Sequence, residues 1–256
     1  MKKSIRWYVL PLGSLALCGV VFALWILKAG SLPLFAGHKL LLLTPQQIAQ
    51  DQQSPPFGLQ FPAHSLANTF PIFFWWLALT LLGCLAFPLI FATLPGLSDR
   101  GYIFGKVLGL LLLAYLTWIL ACLRLVAFSH LSTALVVGFL LVCGVTLFYA
   151  QRRAMLAFLR RRWRLLLLEE GLFALAFLLF VGIRSLNPDL WNVYLGGEKP
   201  MEMAFLNAIL RSPYMPPLDP WYAGGYINYY YYGYIVFGAF IKLTGVAPAT
   251  AFNLAI

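Results

Sequence analysis

Four of the chain's eight carboxylates, Asp189, Glu198, Glu202 and Asp219, fall in one segment, residues 187–225. The segment reads "NPDLWNVYLGGEKPMEMAFLNAILRSPYMPPLDPWYAGG" and also holds Lys199 and Arg211. A positioned carboxylate can take a proton from a hydroxyl as a general base. Overlapping the end of the segment come seven tyrosines within thirteen residues, Tyr222 to Tyr234, including the run Tyr229 to Tyr232. Stacked rings with hydroxyl edges make good sugar-facing surfaces, because each offers an apolar face and a hydrogen-bonding rim. Asn228 adds an amide at the same depth. The plainer reading is an aromatic belt at headgroup level. A belt needs only one or two rings per helix end, so this density points to some rings facing protein or a cavity.

The chain that carries these groups has 256 residues, 62% hydrophobic and only 10% charged. That composition excludes a soluble domain and places the chain in the membrane class. Apolar runs of about 20 residues have the length that crosses the hydrocarbon core as a helix. Backbone groups in lipid must bond internally, so the expected fold is all-α, a polytopic helical membrane protein. Spans are predicted near 7–27, 71–94, 105–126, 131–150, 168–186 and 226–245, with a further one starting near 249. The organisation expected is an N-terminal span and outer loop over 1–70, then a transmembrane domain over 71–256. The final apolar stretch suggests an N-terminal fragment of a longer protein. The first span, Trp7 to Leu27, reads as an anchor, being long for a signal core and lacking a small-x-small cleavage site.

Charge sets the expected orientation. Lys2, Lys3, Arg6, Arg100, Lys106, the six arginines of "QRRAMLAFLRRRWR" and Lys242 all fall on one side if the spans alternate. The positive-inside rule makes that side cytoplasmic, with the N-terminus there, in a multi-pass plasma-membrane protein. The loops 28–70 and 187–225 then face outward. The net charge of +10 therefore serves topology, and no nucleic-acid partner is expected. The arginine connection reads as an amphipathic interfacial helix, with Met155, Leu156, Phe158 and Leu159 at headgroup depth. Glu169 and Glu170 fit the first turn of the next span, favoured by the helix dipole; a buried functional pair is the alternative. The four cysteines, Cys18, Cys84, Cys122 and Cys143, lie in apolar spans, so disulfides and a zinc site are not expected. His38 and His64 read as surface residues.

Within the outer loop, Pro200 and Met201 start a helix. Met201, Ala204, Phe205, Ala208 and Ile209 keep the spacing of one buried face. Glu202 falls between the Leu206 and Ile209 directions, amid apolar neighbours. It either favours the dipole of the first turn or lines a cavity toward which Glu198 also points. The prolines of "SPYMPPLDPW" then impose an irregular return that delivers Asp219 to the next span. Gly224 and Gly225 permit a close approach or a positive φ there. Tyr226, Tyr229, Tyr230 and Gly233 or Tyr234 are predicted to share a helix face, with Tyr231 and Tyr232 pointing elsewhere.

"NPDLWNVYLGGEKPMEMAFLNAILRS" followed by "PPLDPWYAGGYINYYYYGY" resembles the YYY integral membrane proteins of archaea and Chloroflexi (Chlor_Arch_YYY), and "LPGLSDRGYIFGKVLGLLLLAYLTWILACLRL" is similar to their upstream part. The resemblance covers most of 71–256. It implies a GT-C-like glycosyltransferase with a membrane-lying helix in a large outer loop. Such an enzyme takes sugar from a polyprenyl-phosphate donor on the outer face, so membrane lipid and a lipid-linked sugar would be its partners. In that mapping Glu198 takes the place of the first loop acid and Asp219 lies near the later acid-proline segment; these are the candidate catalytic residues. Glu202, Lys199, Arg211, Arg184, Asn228, Tyr229 and Tyr230 are the candidate substrate-binding residues. Lys199, Arg211 or Arg184, or a divalent cation (Mg²⁺ or Mn²⁺) held by carboxylates, would stabilise the leaving phosphate. Glu198-Lys199 stands where many such enzymes carry Asp-Glu, which leaves the base and any metal open. The other classes weighed are a multi-span transporter or flippase and a non-catalytic membrane assembly protein. Few charges inside the spans argue against transport.

Overall fold

The computed structural model describes residues 57–190, 197–222, 224–228 and 230–255. The expectations for the first span, His38, Cys18 and Tyr229 lie outside the described residues. The described elements are α1 (Phe57–Gln60), α2 (Leu66–Thr69), α3 (Pro71–Thr93), α4 (Gly105–Cys122), α5 (His130–Ser185), α6 (Lys199–Arg211), α7 (Tyr231–Thr244) and α8 (Pro248–Ala255). No strand forms among the described residues; one isolated antiparallel bridge joins Leu218 to Tyr226. The fold is all-α, as expected of a helical membrane protein. α3, α5, and α4 with its preceding turn are long and apolar enough to cross a membrane.

Helix α3 starts on Pro71, whose missing N–H costs nothing at that position. α4 packs tightly along it because glycines line the seam. A Cβ on Gly105 would stand 3.0 Å from the Gly83 carbonyl, and one on Gly109 would collide with the Leu82 carbonyl. Small residues at such a seam let backbones approach where lipid supplies no hydrophobic drive between helices. α5 begins in a capping box: Ser129 Oγ accepts from the Ser132 N–H and Ser132 Oγ accepts from the Ser129 N–H.

The predicted spans 131–150 and 168–186 occur within one helix of 56 residues. It runs as one helical segment from His130 to Ser185, yet its halves flank α3 in opposite directions. In the first half a Cβ on Gly144 would meet the Leu85 carbonyl at 2.7 Å, and Gln151 Nε2 donates to the Pro88 carbonyl at 3.1 Å. Phe158 then packs 5.4 Å from Phe91. In the second half Phe177 and Leu178 line one cavity with Phe70, Phe73 and Trp76, and Arg184 and Ser185 line another with Pro71 and Ile72. The path from Gly144 to Arg184 is about 60 Å along a helix, whereas Leu85 to Pro71 is about 21 Å. The axis must therefore turn back, and it does so through the arginine segment. All six arginines of that segment are exposed. Met155, Phe158 and Leu159 pack with Phe87 and Phe91 while Leu156 stays exposed, so part of the expected interfacial face is instead covered by protein.

Three charges sit differently from expectation. Glu170 is not at a helix start: it accepts from Lys106 Nζ and from the Tyr102 hydroxyl. Lys106 is thus buried in an ion pair, above the rings of Tyr102 and Phe173. The helix predicted over 226–245 forms only over Tyr231–Thr244. At 14 residues it is about 21 Å long, short of a core about 30 Å thick. Trp118, near the end of α4, packs on Tyr232. The Lys242 carbonyl meets His130 Nδ1 at 2.5 Å, and Asn68 Nδ2 donates to the Gly245 carbonyl at 3.2 Å. Both ends of α7 are therefore held at the end of the fold opposite the arginines. Lys242 is 2% exposed there, so it does not belong with the basic side.

The main core lies at that same end. Trp75 and Leu82 of α3, Leu113 of α4, Leu206 and Ile209 of α6, and Ile235 and Phe240 of α7 form one buried cluster.

Candidate functional site

The described part of the acidic loop, from residue 197 on, folds much as its sequence directs. Helix α6 has Pro200 in its first turn and Glu202 one turn after Glu198. Its buried residues are Met203, Phe205, Leu206, Ile209 and Leu210, while Met201 and Ala208 pack partly buried. The buried face is thus centred slightly away from the one expected from Met201 and Ala204. Ser212 ends the helix and turns the chain: its hydroxyl accepts from the Leu218 N–H at 3.1 Å. The proline-rich return pairs with residues 225–227. Ile227 N donates to the Pro217 carbonyl at 2.9 Å and Asp219 N to the Gly225 carbonyl at 3.0 Å. Gly224 takes φ +80° at the tip, the positive value anticipated for this glycine pair.

This turn gives Asp219 a local task. Its Oδ1 accepts from the N–H groups of Trp221 at 2.8 Å and Tyr222 at 3.1 Å. The carboxylate closes its own turn, as aspartates in turns commonly do.

A cavity of about 260 Å³ opens between α6, α7 and α8, lined by Glu202, Leu206, Tyr230, Gly233, Tyr234, Phe237, Ile241, Phe252 and Ala255. Its size falls just below the ~300–1,000 Å³ of drug-sized sites and suits a small ligand such as one sugar ring. Glu202 is the carboxylate on its wall. Tyr230 stands at the start of α7 with φ 45°, a left-handed backbone. A bulky aromatic residue seldom adopts it, and such strain gathers at functional positions. Its side chain is exposed. Because α7 begins only at Tyr231, the helix face expected to run from Tyr226 does not form. Tyr226 instead bridges to Leu218. Tyr230, Gly233 and Tyr234 do meet at the cavity. Tyr231 and Tyr232 are partly buried in the main core, with Tyr232 5.4 Å from Trp118.

The other candidates scatter. Glu198 is exposed at the start of α6, next to Lys199. Arg211 lies at the far end of α6 with its guanidinium 4.8 Å above the Phe57 ring. Asn228 is exposed. Arg184 lines a different cavity, on the other side of α8, with Ser185, Asp189, Thr250 and Asn253. Among the described residues no group of three His, Cys, Asp or Glu side chains converges. The cavity beside Tyr230 offers a single carboxylate, which does not assemble a divalent-cation site.

Sequence reasoning misses His130. Its ring packs on Phe61 at 5.4 Å, and its Nδ1 meets the Lys242 carbonyl. A lone histidine between a proline-free turn and an apolar run carries no signal in sequence, since both partners are far along the chain.

A family model for an uncharacterised membrane protein, DUF2298, matches residues 112–256. That stretch takes in the end of α4, the reversing helix, the acidic loop and the cavity. Comparison with curated proteins and with solved structures returned no match.

Proposed function

Since the chain belongs to the uncharacterised membrane protein family DUF2298, the activity must be read from its site, and we propose that this site transfers a sugar from a polyprenyl-phosphate donor at the outer membrane face. The observation that carries this reading is the meeting of the Glu202 carboxylate with the rings of Tyr230 and Tyr234 in one cavity. Aromatic walls stack on the apolar face of a sugar while hydroxyl edges bond its rim. Glu202 takes the proton of the acceptor hydroxyl as general base. The acceptor oxygen bonds to the anomeric carbon, the bond from that carbon to the phosphate oxygen breaks, and polyprenyl phosphate leaves with the electron pair. The GT-C-like layout enters by resemblance of the loop sequence. We take Glu202 as the base in preference to Glu198 and Asp219, because Glu202 lines the cavity while Asp219 Oδ1 accepts from the N–H groups of its own turn.

The test uses the full chain in proteoliposomes with a polyprenyl-phosphate sugar labelled in the sugar. Release of label from the lipid phase, with water as acceptor, should be lost in Glu202→Gln while the protein stays folded. Unchanged release in that variant removes the proposal.

Transport is the second reading, and the Lys106–Glu170 pair inside the helices favours it. It is weaker because the two charges neutralise each other and are closed by the Tyr102 hydroxyl.

A further inference from the structure

Two cavities lie end to end between the start of α3 and the second half of α5, sharing Pro71 and Ile72. The first, about 540 Å³, is walled by Phe70, Phe73, Trp76, Ala174, Phe177 and Leu178 and is almost wholly apolar. The second, about 530 Å³, carries Arg184, Ser185, Asp189, Thr250 and Asn253. Arg184 Nη1 donates to the Asn187 carbonyl at 2.7 Å. Its Nε and Nη2 are buried and have no hydrogen-bond partner, and neither has Asn253 Oδ1. A guanidinium normally spends such donors in pairs on a carboxylate or phosphate.

We propose that this groove holds a glycerophospholipid of the surrounding leaflet, its phosphodiester on Arg184 and an acyl chain along the α3–α5 furrow toward Trp76 and Ala174. The apolar part opens beside exposed Ile72, Phe73, Leu175 and Leu178, the surface expected to meet lipid, so its occupant is drawn from the bilayer. The two unpartnered Arg184 donors select the head, since they suit a phosphate oxygen pair. One arginine and one aspartate line the head end, and a singly charged phosphodiester suits that balance better than a monoester, which carries about −1.5 to −2. Helix α8 separates this groove from the Glu202 cavity, since Thr250 and Asn253 face one and Phe252 and Ala255 the other. The proposal therefore does not rest on sugar transfer.

The experiment is native mass spectrometry of the full chain in detergent, titrated with dioleoyl phosphatidylglycerol, dioleoylglycerol or inorganic phosphate. Phosphatidylglycerol should bind at least fivefold more tightly than dioleoylglycerol, which has the same chains and no phosphate. Inorganic phosphate should not displace it. Arg184→Gln should weaken phosphatidylglycerol at least fivefold and leave dioleoylglycerol unchanged. Ala174→Trp, which fills the furrow and spares the head site, should weaken both lipids. Equal binding of the two lipids to the unaltered chain overturns the proposal, as does displacement by inorganic phosphate. Unchanged phosphatidylglycerol binding in Ala174→Trp also overturns it, and this remains readable should Arg184→Gln fail to fold.

Discussion

Lys242 Nζ donates to the main-chain carbonyl of Leu210 at 2.9 Å, tying the last turn of α7 to the last turn of α6. The same ammonium reaches Gln60 Oε1 at 3.2 Å and lies 5.1 Å from the centre of the Phe128 ring. One buried cation thus gathers four separate segments. Lys242→Met keeps the aliphatic stem and removes the donor, leaving a buried carbonyl without its partner. The expected cost is about 1–3 kcal/mol, read as a lower unfolding temperature in detergent. An unchanged transition would show that the ammonium contributes nothing to holding α7 in place.

The Lys106–Glu170 pair should behave as a unit. Its side chains are 11% and 20% exposed, so removing one partner strands a charge at a cost of about 2–3 kcal/mol, below the ~3–5 of a fully buried pair. Lys106→Met and Glu170→Gln should each destabilise, and the double variant should recover much of the loss. Thermal unfolding of all four proteins in a double-mutant cycle checks this; additive losses would mean the two groups do not interact.

Gly144 and Gly138 lie on the same helix and predict opposite outcomes. A methyl at Gly144 would press on the Leu85 carbonyl, whereas Gly138 has nothing within 4 Å. Gly144→Ala should cost about 1–3 kcal/mol by forcing α5 from α3. Gly138→Ala should be neutral or slightly stabilising, since alanine favours a helix. Equal melting temperatures for the two variants would mean that the tight seam is not needed.

Orientation can be read by labelling single cysteines placed in a background without native ones. Arg153 is exposed on the arginine segment and Tyr222 at the opposite end. A membrane-impermeant maleimide should modify Tyr222→Cys in intact cells and Arg153→Cys only after permeabilisation, as the positive-inside rule requires. The reverse pattern would invert the topology. Position 151 is a poor probe, because Gln151 is buried against Pro88.

The tyrosine run should prove unequal. Tyr230→Phe removes a hydroxyl at the cavity and should lower donor turnover several-fold at normal expression, since one hydrogen bond is worth about 0.5–1.5 kcal/mol. Tyr232→Ala should instead lower stability, because that ring packs on Trp118. Equal, negligible effects at both positions would return the run to a simple membrane belt.

What the sequence disclosed was whatever is written in local pattern. α3 and α4 start where hydropathy rises, and α6 begins at the proline that announces it. Glu202 stands among apolar neighbours because its place on the helix wheel leaves it nowhere else. The position of α7 was not legible, since apolar residues read alike whether lipid or protein covers them. The helical continuation of α5 through the arginines was hidden for a related reason: arginines are good helix formers, so a charge run marks where a chain leaves the membrane without marking where a helix stops. The turn that engages Asp219 Oδ1 was not legible either, because it depends on backbone N–H groups, which sequence does not display.

The reversing helix bears on how the chain is made. Each half of α5 is an apolar stretch long enough to insert, but six arginines join them, and each would cost about 2.5–3.5 kcal/mol at the centre of a spanning helix. Drawing that tip through the bilayer is prohibitive, so the second half cannot enter as a separate, later span pulled from the far side. With the arginines on the side that the positive-inside rule assigns them, the two halves are expected to insert as a hairpin whose tip is never translocated. On that orientation the residues beyond Ser185, including the acidic loop, are expected to cross as the second half seats. Placement of the acidic loop is then expected to wait on one insertion event, which an unpaired charge added to either half would weaken by about 2.5–3.5 kcal/mol.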